Sequence, residues 1–175
     1  MTHDELFTKV QEWATGEEVR FELSKNGKIL RAWFTGEHGH FPVHLQCADD
    51  PLSVTFTAEL PVRVAPGQHR LAALLVVETN LNLRLGAFHF EAKESRLFFR
   101  VSIEIHLPSH EGEGLSERIR FGFALAAAML DNEFISLCAV ATATPEVTRE
   151  LAALDTAAQS KAGLSVSDTS TPRLN

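Results

Sequence analysis

The sequence predicts an α+β fold in which an antiparallel sheet carries its helices on one face. Segments with period-two alternation are joined by hairpin-length turns such as Asn26-Gly27, which predicts antiparallel strand pairs. Helical segments stand before, between and after the strand groups, so they can all cover the apolar face of one sheet. The predicted order is α-β-β-β-α-β-β-α.

The first half of the chain predicts a helix followed by a strand meander. Thr2 and Glu5 have the spacing of a capping box at the start of a helix over residues 3–15. Alternation then predicts strands over residues 29–35, 41–47 and 52–60. The segment 19–23 also alternates, so the sequence leaves open whether one additional strand precedes these three.

The second half predicts a helix, a two-strand meander and a long helix. After Pro66-Gly67 the helix covers residues 68–79, and the strands cover residues 88–91 and 97–107. The long helix covers residues 116–141. A further helix is expected over 145–158, completing a single domain of residues 1–158. Residues 159–175 have no periodicity and are expected to form a disordered tail.

Composition excludes several classes of partner. The 175 residues include 16 Lys and Arg against 23 Asp and Glu, a net charge of −7, and no basic stripe that would attract nucleic acid. The uncharged run 121–130 spans only about 15 Å as a helix, too short for a bilayer, so no membrane partner is expected. The acidic amino terminus lacks the pattern of an export signal, which favours a cytoplasmic location.

Several strings resemble the YbjN family of bacteria. They are residues 71–80 (LAALLVVETN), residues 86–90 (GAFHF), the strand from residue 97 to 105, and Leu115-Ser116-Glu117 before the long helix. The resemblance covers residues 6–141. It implies a fold like that of type III secretion chaperones, frequent dimerisation, a label as a sensory-transduction regulator, and no catalytic motif.

Two positions in these strings have structural explanations. Asn80 is expected to cap the second helix in the left-handed conformation, and Gly86 to allow a tight backbone entry into a strand. The cysteines Cys47 and Cys138 are far apart in apolar segments and imply neither a disulfide nor a zinc site. His44 is three residues from Cys47 and points to the opposite strand face, so a thiol nucleophile is rejected. No cofactor is expected.

The densest titratable group is His38, His40 and His44, and imidazoles of this kind could ligate zinc, nickel or copper. Their spacing in a turn and the following strand favours solvated side chains instead. A metal-binding sensor or small enzyme built on this group is therefore the alternative hypothesis.

Two surfaces are candidates for binding. The polar side of the second meander offers a platform for a peptide or small ligand: His89, Arg100, Glu104 and His106. The second helix has an apolar side, Ala73, Val76 and Val77, which either the helix over 145–158 or a second copy of the chain must cover. The homodimer is favoured. The favoured function is a non-enzymatic, chaperone-like regulatory domain that holds a segment of a partner protein by strand-edge pairing and apolar pockets.

Overall fold

The structure is a computed structural model and describes residues 1–105 and 113–144 of the chain. Residues Met1–Thr142 form one compact unit. A second unit, Ala143–Asn175, is described only at its first two residues. The predicted helix over 145–158, the predicted tail over 159–175 and the candidate residue His106 lie outside the described residues.

The described chain alternates helices and strands in the predicted order, with the additional N-terminal strand present. The elements are α1 His3–Gly16, β1 Phe21–Leu23, β2 Ile29–Thr35, β3 His40–Asp49, β4 Leu52–Glu59, α2 His69–Asn80, β5 Ala87–Glu91, β6 Arg96–Glu104 and α3 Glu113–Thr142. A short 3₁₀ turn, Pro66–Gln68, leads into α2. The predicted α+β class is confirmed.

All six strands belong to one antiparallel sheet of order β1-β2-β3-β4-β6-β5. The two strand groups meet where β4 pairs with β6, with Phe56 opposite Val101 and Val54 opposite Ile103. Both strands alternate except at Phe98, which lies on the outward face, and a slip of one residue would turn the inward apolar side chains outward. The register is therefore set by the sequence pattern.

The helices cover the apolar face of this sheet. α1 contacts β3, α3 contacts β4 and β6, and α2 contacts β5, while α3 also touches both other helices. The largest fully buried side chains come from α1, α3, the strands β2 to β6 and the residue that follows β4, but none comes from α2: Phe41, Phe56, Phe88, Phe99, Leu6, Leu30, Leu45, Leu60, Leu97, Ile119, Leu130 and Leu137. This core leaves the opposite face of the sheet to the polar residues.

The orientation of α2 differs in part from the prediction. The sequence places Leu74 on one apolar side and Val76 with Val77 on the other. In the structure Val76 packs partly against the core, whereas Leu74 is 56% exposed and Val77 is 61% exposed. The uninterrupted apolar block 71–77 carries little information about which side faces inward, and packing on β5 decides it.

Asn80 has a different role from the predicted helix cap. The helix continues to its C-cap at Leu81, which has right-handed backbone angles. The Asn80 carboxamide instead donates to the carbonyl oxygen of Phe88 at 2.9 Å and accepts from its N–H at 2.8 Å. Gly86 does provide the tight entry, since its φ is +71° and a Cβ there would overlap the ring of Phe99.

Residues Gly114–Thr142 of α3 are long and apolar enough to cross a membrane by length and composition alone. The prediction drawn from residues 121–130 considered only part of this helix. A single helix of this kind is weak evidence for a span, because core helices pass the same test. Only 28% of its most apolar window is buried, so much of its apolar surface is exposed.

Candidate functional site

A row of polar side chains crosses four strands on the outward face of the sheet. The register aligns Arg31 of β2, His44 of β3, Thr57 of β4 and Arg100 of β6. Three strand spacings separate the two arginines, or about 14 Å at the backbone. Neither forms an ion pair within the described residues. The row therefore offers two cations to anionic groups of a ligand.

Phe98 joins two of the predicted platform residues. It is 5% exposed although it lies on the outward face, because charged and polar groups cover it. The Arg100 guanidinium lies 4.9 Å from the centre of its ring, and the His89 imidazole stacks on it at 5.2 Å. Burial, and then the charge of Arg100, lower the pKa of His89, which keeps this imidazole neutral near pH 7.

The other predicted platform residues are not part of this cluster. Glu104 lies on the same face of β6 but four residues from Arg100, or about 13 Å along the strand. Its backbone carbonyl oxygen accepts a hydrogen bond from Arg118 at 3.1 Å. His106 lies outside the described residues, so the structure brings together His89 and Arg100.

Glu59 is the most extensively paired carboxylate on this face. Arg96 donates to it at 2.7 Å and Arg63 at 2.8 Å, while Nε2 of His44 lies 3.6 Å away. Burial would raise the pKa of Glu59, but the hydrogen bonds and charges of the two arginines outweigh it and lower this pKa. Glu59 is therefore a structural anion and a poor proton donor at neutral pH.

The three clustered histidines have three different surroundings. His38 lies 3.7 Å from the Asp131 carboxylate, and His40 stacks on Trp33 at 5.1 Å. His44 lies beside Glu59, and burial lowers its pKa despite that carboxylate. Across residues 1–105 and 113–144, no group of three or more potential ligands is close enough to hold a metal ion.

The cysteines have the properties of buried thiols. Burial, with the charge of Asp49, raises the pKa of Cys47 to about 12, and burial also raises the pKa of Cys138. Both are free. A thiolate nucleophile needs the opposite shift, so neither side chain is suited to covalent catalysis.

A groove of about 630 Å³ lies between the loop that follows α1 (residues 17–20), the end of β2, the start of β3 and α3. Its aromatic walls are Trp33 and Phe34 of β2 and Phe123 of α3. The Phe34 and Phe123 rings are 6.4 Å apart, and Trp33 is 39% exposed. The charged residues Glu18 and Arg20 also line the groove.

The groove lies along the part of the β2 edge beyond the end of β1. β1 pairs only with residues 30–32 of β2. Ile29 accepts from Ser24 on the β1 side, whereas Gly36 donates to Gly39 on the β3 side. Because antiparallel ladders alternate, Trp33 and Thr35 turn their backbone N–H and C=O groups toward the β1 side. The register of β1 with β2 places Arg20 opposite Trp33, so Thr35 is the position that lies beyond the paired segment.

The opposite edge of the sheet is closed at its middle. β5 is the last strand there, and the Asn80 carboxamide occupies both backbone groups of Phe88. A side-chain amide in this position takes the place of a neighbouring strand and protects the edge. The edge of β2 is thus the better place for an added strand.

Sequence reasoning did not identify Trp33, Phe34 and Phe123 as a candidate site. Alternation in residues 29–35 does place Arg31 and Trp33 together on the outward face, and that signal was present in the sequence. The approach of Phe123 has no local signal, because it depends on how α3 packs.

Comparisons with protein-family models, curated proteins and solved structures found no match to this chain. The YbjN resemblance therefore stays a prediction.

Proposed function

We propose that this protein is a non-enzymatic, dimeric binding domain of chaperone-like or regulatory function, which holds an extended segment of a partner protein at the edge of β2. The observation that carries the proposal is that the backbone groups of Thr35 point outward beyond the end of β1, next to an aromatic groove lined by Trp33 and Phe34. Strand addition uses both features: backbone pairing supplies affinity, and pockets for alternate side chains supply specificity.

The chemistry of the bound segment follows from the alternation of β2. Phe34 packs against the core with Phe123, whereas Trp33 lies outside with Arg31, whose guanidinium is 4.6 Å from the indole ring. An added strand would place alternate side chains against these two surfaces. We expect an apolar residue on the Phe34 side and an aromatic or acidic residue on the Trp33 side.

A domain of this kind would protect its partner. A segment that is apolar and prone to form strands is an aggregation hazard while its own fold or complex is incomplete. Pairing with β2 would cover the segment until the partner assembles. The resemblance to secretion chaperones points in the same direction.

The experiment is a selection of random 12-residue displayed peptides on the full-length protein, followed by fluorescence-polarisation titrations. Enriched peptides should show alternating apolar residues. Trp33→Ala should weaken their binding about tenfold or more, as expected for an aromatic anchor. Leu81→Ala is the matched control, since Leu81 is 76% exposed and outside the groove. Absence of enrichment, or equal binding by both variants, would refute the proposal.

A further inference from the structure

The outer side of α3 is an exposed apolar stripe. Phe121 is 50% exposed and Ile135 is 63% exposed, which is unusual for large apolar side chains in a long helix. The exposed positions between them and just beyond continue the stripe with small residues and one amide: Ala124, Ala128, Asn132 and Ala139. At 100° per residue all of these lie within about 40° of Ala128 around the helix.

The stripe is symmetrical about Ala128. Phe121 lies seven residues before it and Ile135 seven residues after it, the spacing of a coiled-coil seam. If two such helices cross antiparallel at Ala128, Phe121 of each chain meets Ile135 of the other. A two-fold interface requires this self-complementarity, which an unrelated partner does not.

We propose that α3 packs antiparallel against α3 of a second copy of this chain, with the two-fold axis at Ala128. This inference specifies the surface and register of the dimer named in the proposed function, and it does not involve the groove at β2. The alanines at the centre allow close approach of the helices. Asn132 is the single polar position of the seam between Phe121 and Ile135, a place where an amide fixes register. At the ends of the seam Ala139 of each chain meets Glu117 of the other.

The area of the stripe shows what else the interface must include. From Phe121 to Ala139 the stripe is about 27 Å long, and a face about 13 Å wide supplies roughly 350 Å² per chain. A stable dimer buries about 800 Å² per chain, so neighbouring surface has to contribute. α2 contacts α3 and carries the exposed Leu74 and Val77. Of the predicted interface on α2 (Ala73, Val76 and Val77), Ala73 and Val77 are exposed and would flank a seam centred on α3, whereas Val76 packs against the core.

The experiment measures the mass of the full-length protein and of two charge variants by sedimentation equilibrium. The wild type should have twice the chain mass of 19.3 kDa. Phe121→Glu and Ile135→Lys alone should each be monomeric. Mixed together, they should form a heterodimer, because the new Glu and Lys side chains face each other while the intact Ile135 and Phe121 meet at the other end. The mixture should associate at least tenfold more tightly than either variant alone.

The control is Leu23→Glu, which adds a charge at an exposed apolar residue of β1, outside both α2 and α3, and should stay dimeric. Circular dichroism of each variant verifies folding. A monomeric wild type, or variants that fail to associate when mixed, would overturn the proposal, as would binding of the wild type to phosphatidylcholine vesicles that Phe121→Glu abolishes. Peptide binding through Trp33 is measured separately, so failure of the dimer and failure of the groove give different results.

Discussion

The carboxylate of Asp131 accepts a hydrogen bond from the backbone N–H of His38 at 3.0 Å, although the two residues are 93 positions apart. The same carboxylate accepts the N–H groups of Glu37 at 2.9 Å and Gly39 at 3.1 Å. A Cβ at Gly36 would overlap Asp131 itself. The β2–β3 turn is therefore attached to α3, and its histidine is held by that attachment.

Asp131→Asn should destabilise the protein by about 2–4 kcal/mol at pH 7, because one amide oxygen replaces a carboxylate that accepts three backbone hydrogen bonds. Burial would raise the pKa of Asp131, but these hydrogen bonds and the charge of His38 lower it below its ordinary value of 3.8. Urea unfolding at pH 7 measures this decrease in the free energy of unfolding.

The acid dependence of Asp131 has a defined sign. A lowered pKa in the folded state stabilises the protein above the ordinary value, and this contribution is lost as the pH falls through the lower folded pKa. The difference in the free energy of unfolding between wild type and Asp131→Asn should therefore become smaller below about pH 4. Glu78→Gln, on an exposed residue of α2, is the control. A difference in the free energy of unfolding that stays constant down to about pH 2 would show that Asp131 does not have a lowered pKa in the folded state.

Gly122→Ala should destabilise the protein by about 1–3 kcal/mol despite the higher helix propensity of alanine. A Cβ at position 122 would overlap the ring of the fully buried Phe56. Gly16→Ala, at the end of α1, has no atom within 4 Å of the added Cβ and should be neutral or stabilising. Thermal unfolding of both variants compares them, and equal melting temperatures would show that α3 does not approach β4 this closely.

Asn80→Ala should expose the edge of β5. Loss of two hydrogen bonds to Phe88 should cost about 1–3 kcal/mol and speed exchange of the Phe88 amide proton. Asn82→Ala changes an exposed asparagine of the following loop and should leave that proton unaffected. Hydrogen exchange measured by NMR compares the two variants. Protection of the Phe88 amide proton that persists in Asn80→Ala would show that Asn80 does not protect the edge of β5.

His89 should titrate below its ordinary pKa of 6.5, because burial and the charge of Arg100 both disfavour its protonated form. Arg100→Gln should raise this pKa toward the ordinary value. NMR of the imidazole protons against pH measures the shift, with Arg84→Gln as a control for removal of an exposed arginine elsewhere. No change in Arg100→Gln would show that the Phe98 cluster does not couple the two groups.

Local signals predicted the elements and the sheet, and long-range packing accounts for what they did not predict. Thr2 and Glu5 form the predicted capping box, and the two longest alternating segments pair as β4 and β6. The capping box and the alternation can both be recognised from residues that are close together in the sequence. The attachment of the turn by Asp131 joins positions more than 90 residues apart, so periodicity could not show it.

The candidate sites were predicted less completely than the fold, for the same reason. Alternation correctly placed His89 and Arg100 on the polar face. Both side chains contact the ring of Phe98, and the sequence pattern alone does not show that an apolar residue on the polar face joins them. The groove needs Phe123 of α3 beside Phe34 of β2. Contacts between helix and sheet set both arrangements, and a single sequence does not encode them locally.

The central claim is that an extended segment adds to the edge of β2, and the exchange of the Thr35 amide proton tests it most directly. With a selected peptide bound, hydrogen exchange at Thr35 should slow at least tenfold, while exchange at Phe34, which faces β3, should change little. Bound peptide without added protection at Thr35 would contradict strand addition at this edge.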